Sequence, residues 1–282
     1  MRHEGDGAPE SGHPDIERRM VTANQRERAA RAELRDARRE RAFWEELRSR
    51  MTRGHVASAL LLLRTAGMLT GQPVWIHHEA AAWLRTLAAK LDQGARNAMM
   101  TFPSAFPDAA AMGDLVLDRT SRYPDYTLKD GFVRVDVDEL QASVTISPRD
   151  GTPLTVGADV DVVVQTLRDE VGRIFARPCD HAAFLRDVFA EYNSIQQDRR
   201  HTNGAAVAAR DIAYGLGRRQ RGYTADMFNV DLARILRSGE VTCAGRRLVC
   251  HHTRDVEHGM LLHGFEHGGY VGSLTFSGEE QT

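Results

Sequence analysis

The amino-acid sequence predicts an α+β protein, and three observations carry the prediction. The chain opens with a long charged, alanine-rich stretch whose apolar residues follow a four-three spacing. Strand-like alternation begins only near residue 132. Segments with apolar residues at helical spacing stand on both sides of it. The expected architecture is a long N-terminal helix, a helical segment, a small antiparallel sheet with two covering helices, and a C-terminal helix-pair plus β-hairpin module.

Residues 1–15 are rich in Gly, Pro, Glu and His and read as a disordered tail. Asp15 stands in an N-cap position ahead of a helix expected over 16–51, within an extended charged segment spanning 16–53. Its seam runs Ile16, Met20, Ala23, Ala30, Leu34, Ala37, Trp44, Leu47 and Met51, interrupted by Glu27 and Arg41. Glu27 and Arg31 are spaced to pair across one helical turn. So narrow a seam permits close approach but buries little area, which suits docking onto a protein partner, a second copy or the chain's own body. Ile16, Met20, Leu34, Trp44 and Leu47 are the candidate partner-binding residues.

Residues 54–198 form the expected main α+β domain. Val56–Met68 is apolar almost all round, and Val74–Leu91 carries Trp75, Ala82, Leu87 and Leu91 among polar neighbours. Two X-Pro steps in Thr101–Pro107 predict a loop, because the residue before proline disfavours helical backbone. Ala109–Asp114 then reads as a short helical turn. Phe132–Asp138 and Ala142–Ser147 alternate like half-buried strands, Pro148–Gly151 supplies a turn, and Leu154–Val156 a third strand. Helices are expected over Asp159–Phe175 and Asp180–Gln197. Residues 199–223 read as a basic linker and helix, and 224–282 as a small C-terminal α/β module.

Composition removes several function classes. The net charge of −2 provides no global field towards nucleic acid or membrane. Only two basic residues are lysines, Lys90 and Lys129, the signature of a GC-rich genome, and neither lies in a phosphate-binding Gly-Lys-Ser/Thr loop. The longest apolar run, Val56–Leu63, falls well below the roughly 20 residues of a membrane span. Three cysteines without a C-x-x-C pair and an N-terminus without an apolar core predict a cytoplasmic protein with no membrane partner.

Candidate chemistry concentrates towards the C-terminus. Cys250, His252 and His263 could meet across a hairpin as three ligands, with zinc the ion such donors would take. Asp136, Asp138, Glu139, Asp159 and Asp161 form an acidic set suited to a divalent ion. Arg199, Arg200, Arg218, Arg219 and Arg221 make a basic stretch in which guanidinium groups could grip the phosphates of DNA or RNA, joined by Arg246 and Arg247. The run Leu236–Val249 resembles the closing part of the S4 RNA-binding module, where a Gly-x-Val-x-Val-x-Gly pattern follows an arginine-bearing helix. It departs from that pattern at Cys243, and the preceding helix carries Asp226 and Asp231. A helix pair plus hairpin is also the outline of a winged helix. No Ser or Cys nucleophile is paired with a positioned base, so no catalytic residue emerges. The function expected first is a non-catalytic accessory or adaptor subunit of a larger bacterial complex. A nucleic-acid-binding protein is the second expectation, and a metal-dependent enzyme with its site in the C-terminal hairpin the third.

Overall fold

The computed structural model describes residues 14–67, 75–76, 78–198, 204–264 and 269–278, so residues 1–13 of the expected tail and Arg199 and Arg200 lie outside the described residues. The chain divides into two compact units, one comprising residues 1–54 and 62–90 and the other 55–61 and 91–282.

The first unit is dominated by helix α1, Pro14–Thr52. It begins one residue before Asp15, since proline's missing N–H is no loss at a helix start. Ion pairs one turn apart line its surface: Glu27 with Arg31, Arg41 with Glu45 at 2.8 Å, and Glu46 with Arg50 at 2.7 Å. Near its C-terminal end the helix turns aromatic. Phe43 is buried and meets Trp44 and Trp75 edge-on at 5.3 and 5.6 Å, and Trp44 lies 6.0 Å from Trp83. Arg39 caps this cluster, its guanidinium 4.6 Å from the Trp75 ring.

Helix α2, Val56–Thr65, and helix α3, His78–Met112, each contribute residues to both units. Helix α3 corrects the expected loop at Thr101–Pro107, because it runs without interruption through Pro103 and Pro107. Each proline removes one backbone hydrogen bond and crowds the carbonyl four residues earlier. Apolar burial offsets this cost. Phe102, Phe106 and Ala110 are fully buried, the two phenylalanines stack at 5.3 Å, and Phe106 meets Tyr126 at 4.9 Å.

In the second unit, strands β1 (Asp125–Leu128), β2 (Val133–Asp138), β3 (Ser143–Pro148) and β4 (Leu154–Gly157) make an antiparallel meander in the order β1-β2-β3-β4. Val133, Val135, Val144 and Ile146 are buried, as the alternation predicts, while β1 is an additional strand. Helix α4, Val160–Val171, follows and ends in a π-helical turn at Gly172–Ala176. Asp159, ahead of α4, uses its carboxylate elsewhere: it accepts from the backbone N–H groups of Ala57 and Ser58 at 3.1 and 2.7 Å, capping α2. Gly157 makes this junction possible, since a Cβ there would lie 2.2 Å from the Ser58 backbone nitrogen.

A second core joins α5 (His181–Asp198), α6 (Ala209–Arg219) and α7 (Ala225–Ser238) to a five-stranded sheet. That sheet contains β5 (Val207–Ala208), β6 (Thr242–Cys243), β7 (Arg246–His252), β8 (Met260–Leu261) and β9 (Tyr270–Gly278), with β9 between β5 and β7. Phe184, Val188 and Tyr192 of α5 share this core with Phe228 and Leu232 of α7 and Leu274 and Phe276 of β9. The expected boundaries at 198 and 223 therefore fall inside one hydrophobic core. The β6–β7 hairpin turns at Ala244 and Gly245, both with positive φ, the two-residue connection that matches strand twist. Among the described residues no helix is long and apolar enough to cross a membrane.

Candidate functional site

The exposed part of α1 is the first candidate. Every residue from Asp15 to Arg31 is exposed, and from there to Ala42 only Ala32, Asp36 and Glu40 are partly covered. The expected partner-binding set therefore splits. Ile16, Met20 and Leu34 are 57%, 60% and 52% exposed, while Leu47 is buried and Trp44 is half-buried in the aromatic cluster. Trp44 and Leu47 are corrected from docking residues to packing residues. There the chain itself supplies the cover.

The arginine set also divides. Arg218, Arg221, Arg246 and Arg247 are exposed and form no ion pair among the described residues. Arg219 is different: its guanidinium lies 2.7 Å from the buried Glu191 carboxylate. That contact explains Gly215, where a Cβ would come 2.0 Å from a Glu191 oxygen. Arg219 is thus committed to neutralising an interior charge and offers less to a phosphate than its neighbours.

The expected zinc ligands are not brought together. Cys250 is half-buried and packs against the second core, and burial pushes its thiol up to about 12. His252 is exposed at the end of β7, where the ladder skips Gly272 of β9, whereas Cys250 is half-buried. His263 lies edge-on against Phe175 at 4.7 Å and Phe132 at 5.9 Å, where burial lowers its pKa. Among the described residues no group of three His, Cys, Asp or Glu side chains is placed to hold a metal. The acidic set is likewise dispersed. Asp136 is held by Arg134 at 2.6 Å, Asp159 caps α2, and Asp161 meets His55 at 2.7 Å.

A polar interior on α7 is the feature that sequence reasoning missed. This helix is buried on nearly every side, and Asp226, Asn229 and Asp231 are buried with it. The Asp226 carboxylate accepts from the Asp150 backbone N–H at 2.9 Å. The Asp150 carboxylate in turn accepts from Asn229 at 3.0 Å and Arg210 at 3.3 Å. The second Asp226 oxygen has no hydrogen-bond partner among the described residues, and burial pushes the carboxyl up to about 6. Asp231 is better supplied. It pairs with Arg177, accepts from the Tyr223 hydroxyl at 3.0 Å, and has Arg234 at 3.5 Å. Burial, followed by the Asp231 charge, raises the Tyr223 hydroxyl well above its ordinary value. The available signal was the run Ala225–Ala233, where polar residues interrupt an otherwise apolar helix and must be buried with it.

Beside this network lies a cleft of about 750 Å³, bordered by Asp150, Gly151, Asp211, Arg218 and Tyr223. Its rim is more acidic than basic, but Asp150 is already engaged by Arg210 and Asn229. The chain matches no protein-family model, no curated protein and no solved structure.

Proposed function

We propose that this protein is a non-catalytic accessory or adaptor subunit that docks through the exposed portion of α1. The observation that supports it most directly is the uncovered seam: Ile16, Met20 and Leu34 recur at four-three spacing on a helix whose other faces are charged. Solvated helices gain from ion pairs one turn apart, but these do not require a repeating apolar line. A photo-crosslinking amino acid at Met20, introduced in cells, is expected to give an adduct that disappears when Ile16 and Leu34 become glutamate. No adduct at Met20 would sink the docking role.

A second reading is supported by Arg218, Arg221, Arg246 and Arg247, four exposed guanidiniums without acidic partners among the described residues. These would contact phosphates of DNA or RNA, with affinity falling steeply as salt rises. Gel shifts at low salt test it. Unchanged binding after Arg218→Ala, Arg221→Ala, Arg246→Ala and Arg247→Ala together removes it.

A further inference from the structure

We infer that the partner of α1 is a second copy of this chain, lying antiparallel along residues 15–42; the inference rests on the docking role above. The argument starts from where cover begins. The helix is exposed from Asp15 to Ala42, apart from the partial cover on Ala32, Asp36 and Glu40, and its first buried side chain is Phe43. Reversed about a point between Arg28 and Ala29, this stretch overlies itself end to end. A paired copy thus finishes where the aromatic cluster starts.

The seam matches in this orientation. Met20 faces Ala37 of the second copy, Leu34 faces Ala23, and Glu27 faces Ala30, so each large side chain meets a small one. Ile16 faces Arg41, whose aliphatic stem can cover it while its charge stays with Glu45. Glu27 keeps its partner Arg31 on the same helix.

Flanking charges select the orientation, as they do in coiled coils generally. Antiparallel pairing sets Arg19 against Glu40, Arg26 against Glu33 and Glu17 against Arg38 of the second copy, each twice by symmetry. Asn24 meets Arg31, and no like charges face each other. Parallel pairing in register would instead set Arg26 against Arg31 and Glu40 against Glu45. It would also stack Glu27 on Glu27 and Arg41 on Arg41 in the seam. Like-charge juxtaposition of that kind excludes a partner as effectively as attraction recruits one.

Sedimentation of the full chain over a concentration series tests the inference. The mass is expected to rise from 31.4 kDa towards twice that value. Arg19→Glu with Arg26→Glu should weaken association at least tenfold, and adding Glu33→Arg with Glu40→Arg to the same chain should restore it, with circular dichroism confirming that each variant folds. Spin labels at Arg18→Cys, in a chain whose three native cysteines are serine, should lie ~35 Å apart when antiparallel and ~20 Å when parallel, from the helical rise and diameter. A mass fixed at 31.4 kDa, or a label distance near 20 Å, overturns it. The crosslink at Met20 separates the two failures. An adduct with a different protein defeats the second copy alone, whereas no adduct defeats docking itself.

Discussion

Replacing Pro103 or Pro107 by alanine distinguishes a helix from a loop by the sign of one measurement. Both residues lie inside α3, so alanine restores a backbone N–H facing the carbonyl four residues earlier. Relief of the missing bond and of the ring's clash is worth about 3 kcal/mol in a helix interior. Against it stand about 1 kcal/mol for the freedom alanine returns to the unfolded chain and about 1 kcal/mol for the half-buried ring atoms lost. The net expectation is a gain of about 1 kcal/mol per site, which raises the melting temperature by roughly 2–4 °C. Had Thr101–Pro107 been the loop its X-Pro steps suggest, only the opposing terms would remain and both variants would melt lower. Thermal unfolding followed by helical circular dichroism reads the answer directly. Lower melting for both single variants would refute the argument that Phe102 and Phe106 hold this segment helical.

Two further outcomes follow from buried contacts in the second unit. Gly157→Ala should lose about 1–3 kcal/mol in urea denaturation, because its Cβ meets the backbone of Ser58 rather than a movable side chain; wild-type stability in that variant would mean the β4–α2 junction is looser than described. Asp226 has its folded pKa raised to about 6, so its carboxyl holds a proton that the unfolded chain releases near 3.8. Stability is therefore full below about pH 4 and falls as pH rises through 6, by ~3 kcal/mol in all. Asp226→Asn should match wild type near pH 4 and exceed it by about 2 kcal/mol at pH 7, while an equal loss at both values would show that the carboxylate itself is required.

Legibility in the sequence followed how many physical causes agreed at each position. Helix α7 has both ends marked by local chemistry, because Thr224 caps its start, accepting from the Met227 N–H at 3.4 Å, and Gly239 ends it with φ of 75°. Strands β2 and β3 were readable because one face is buried and the other is not. Strand β1 was not, since four residues carry too little alternation to register. The prolines of α3 misled because local backbone preference and tertiary burial oppose each other there, and only the buried phenylalanines reveal which prevails. The expected metal set was read from hairpin alternation alone, which is silent about packing: Cys250 packs against the second core and His263 against Phe132 and Phe175, while His252 is exposed.

The two helices most relevant to function mark opposite limits of what a seam can say. In α1 the four-three spacing identifies Ile16, Met20, Leu34, Trp44 and Leu47 alike, yet cover from the chain itself reaches only the last two. Spacing reports that a face wants burial and is silent about which surface provides it. Charges flanking the seam contain the missing information, because they discriminate between orientations that the apolar line treats as equal. In α7 the reverse holds: polar side chains are drawn inside, and Asp226, Asn229 and Asp231 are tolerable only because Asp150, Arg210, Arg177 and Tyr223 converge on them. Tyr223 adjoins α7 in sequence, but Asp150 and Arg177 lie far from it, so no window of sequence around α7 contains the whole set. A docking face is written locally and can be argued from one helix, whereas a buried polar network becomes readable only once the fold has assembled its contributors.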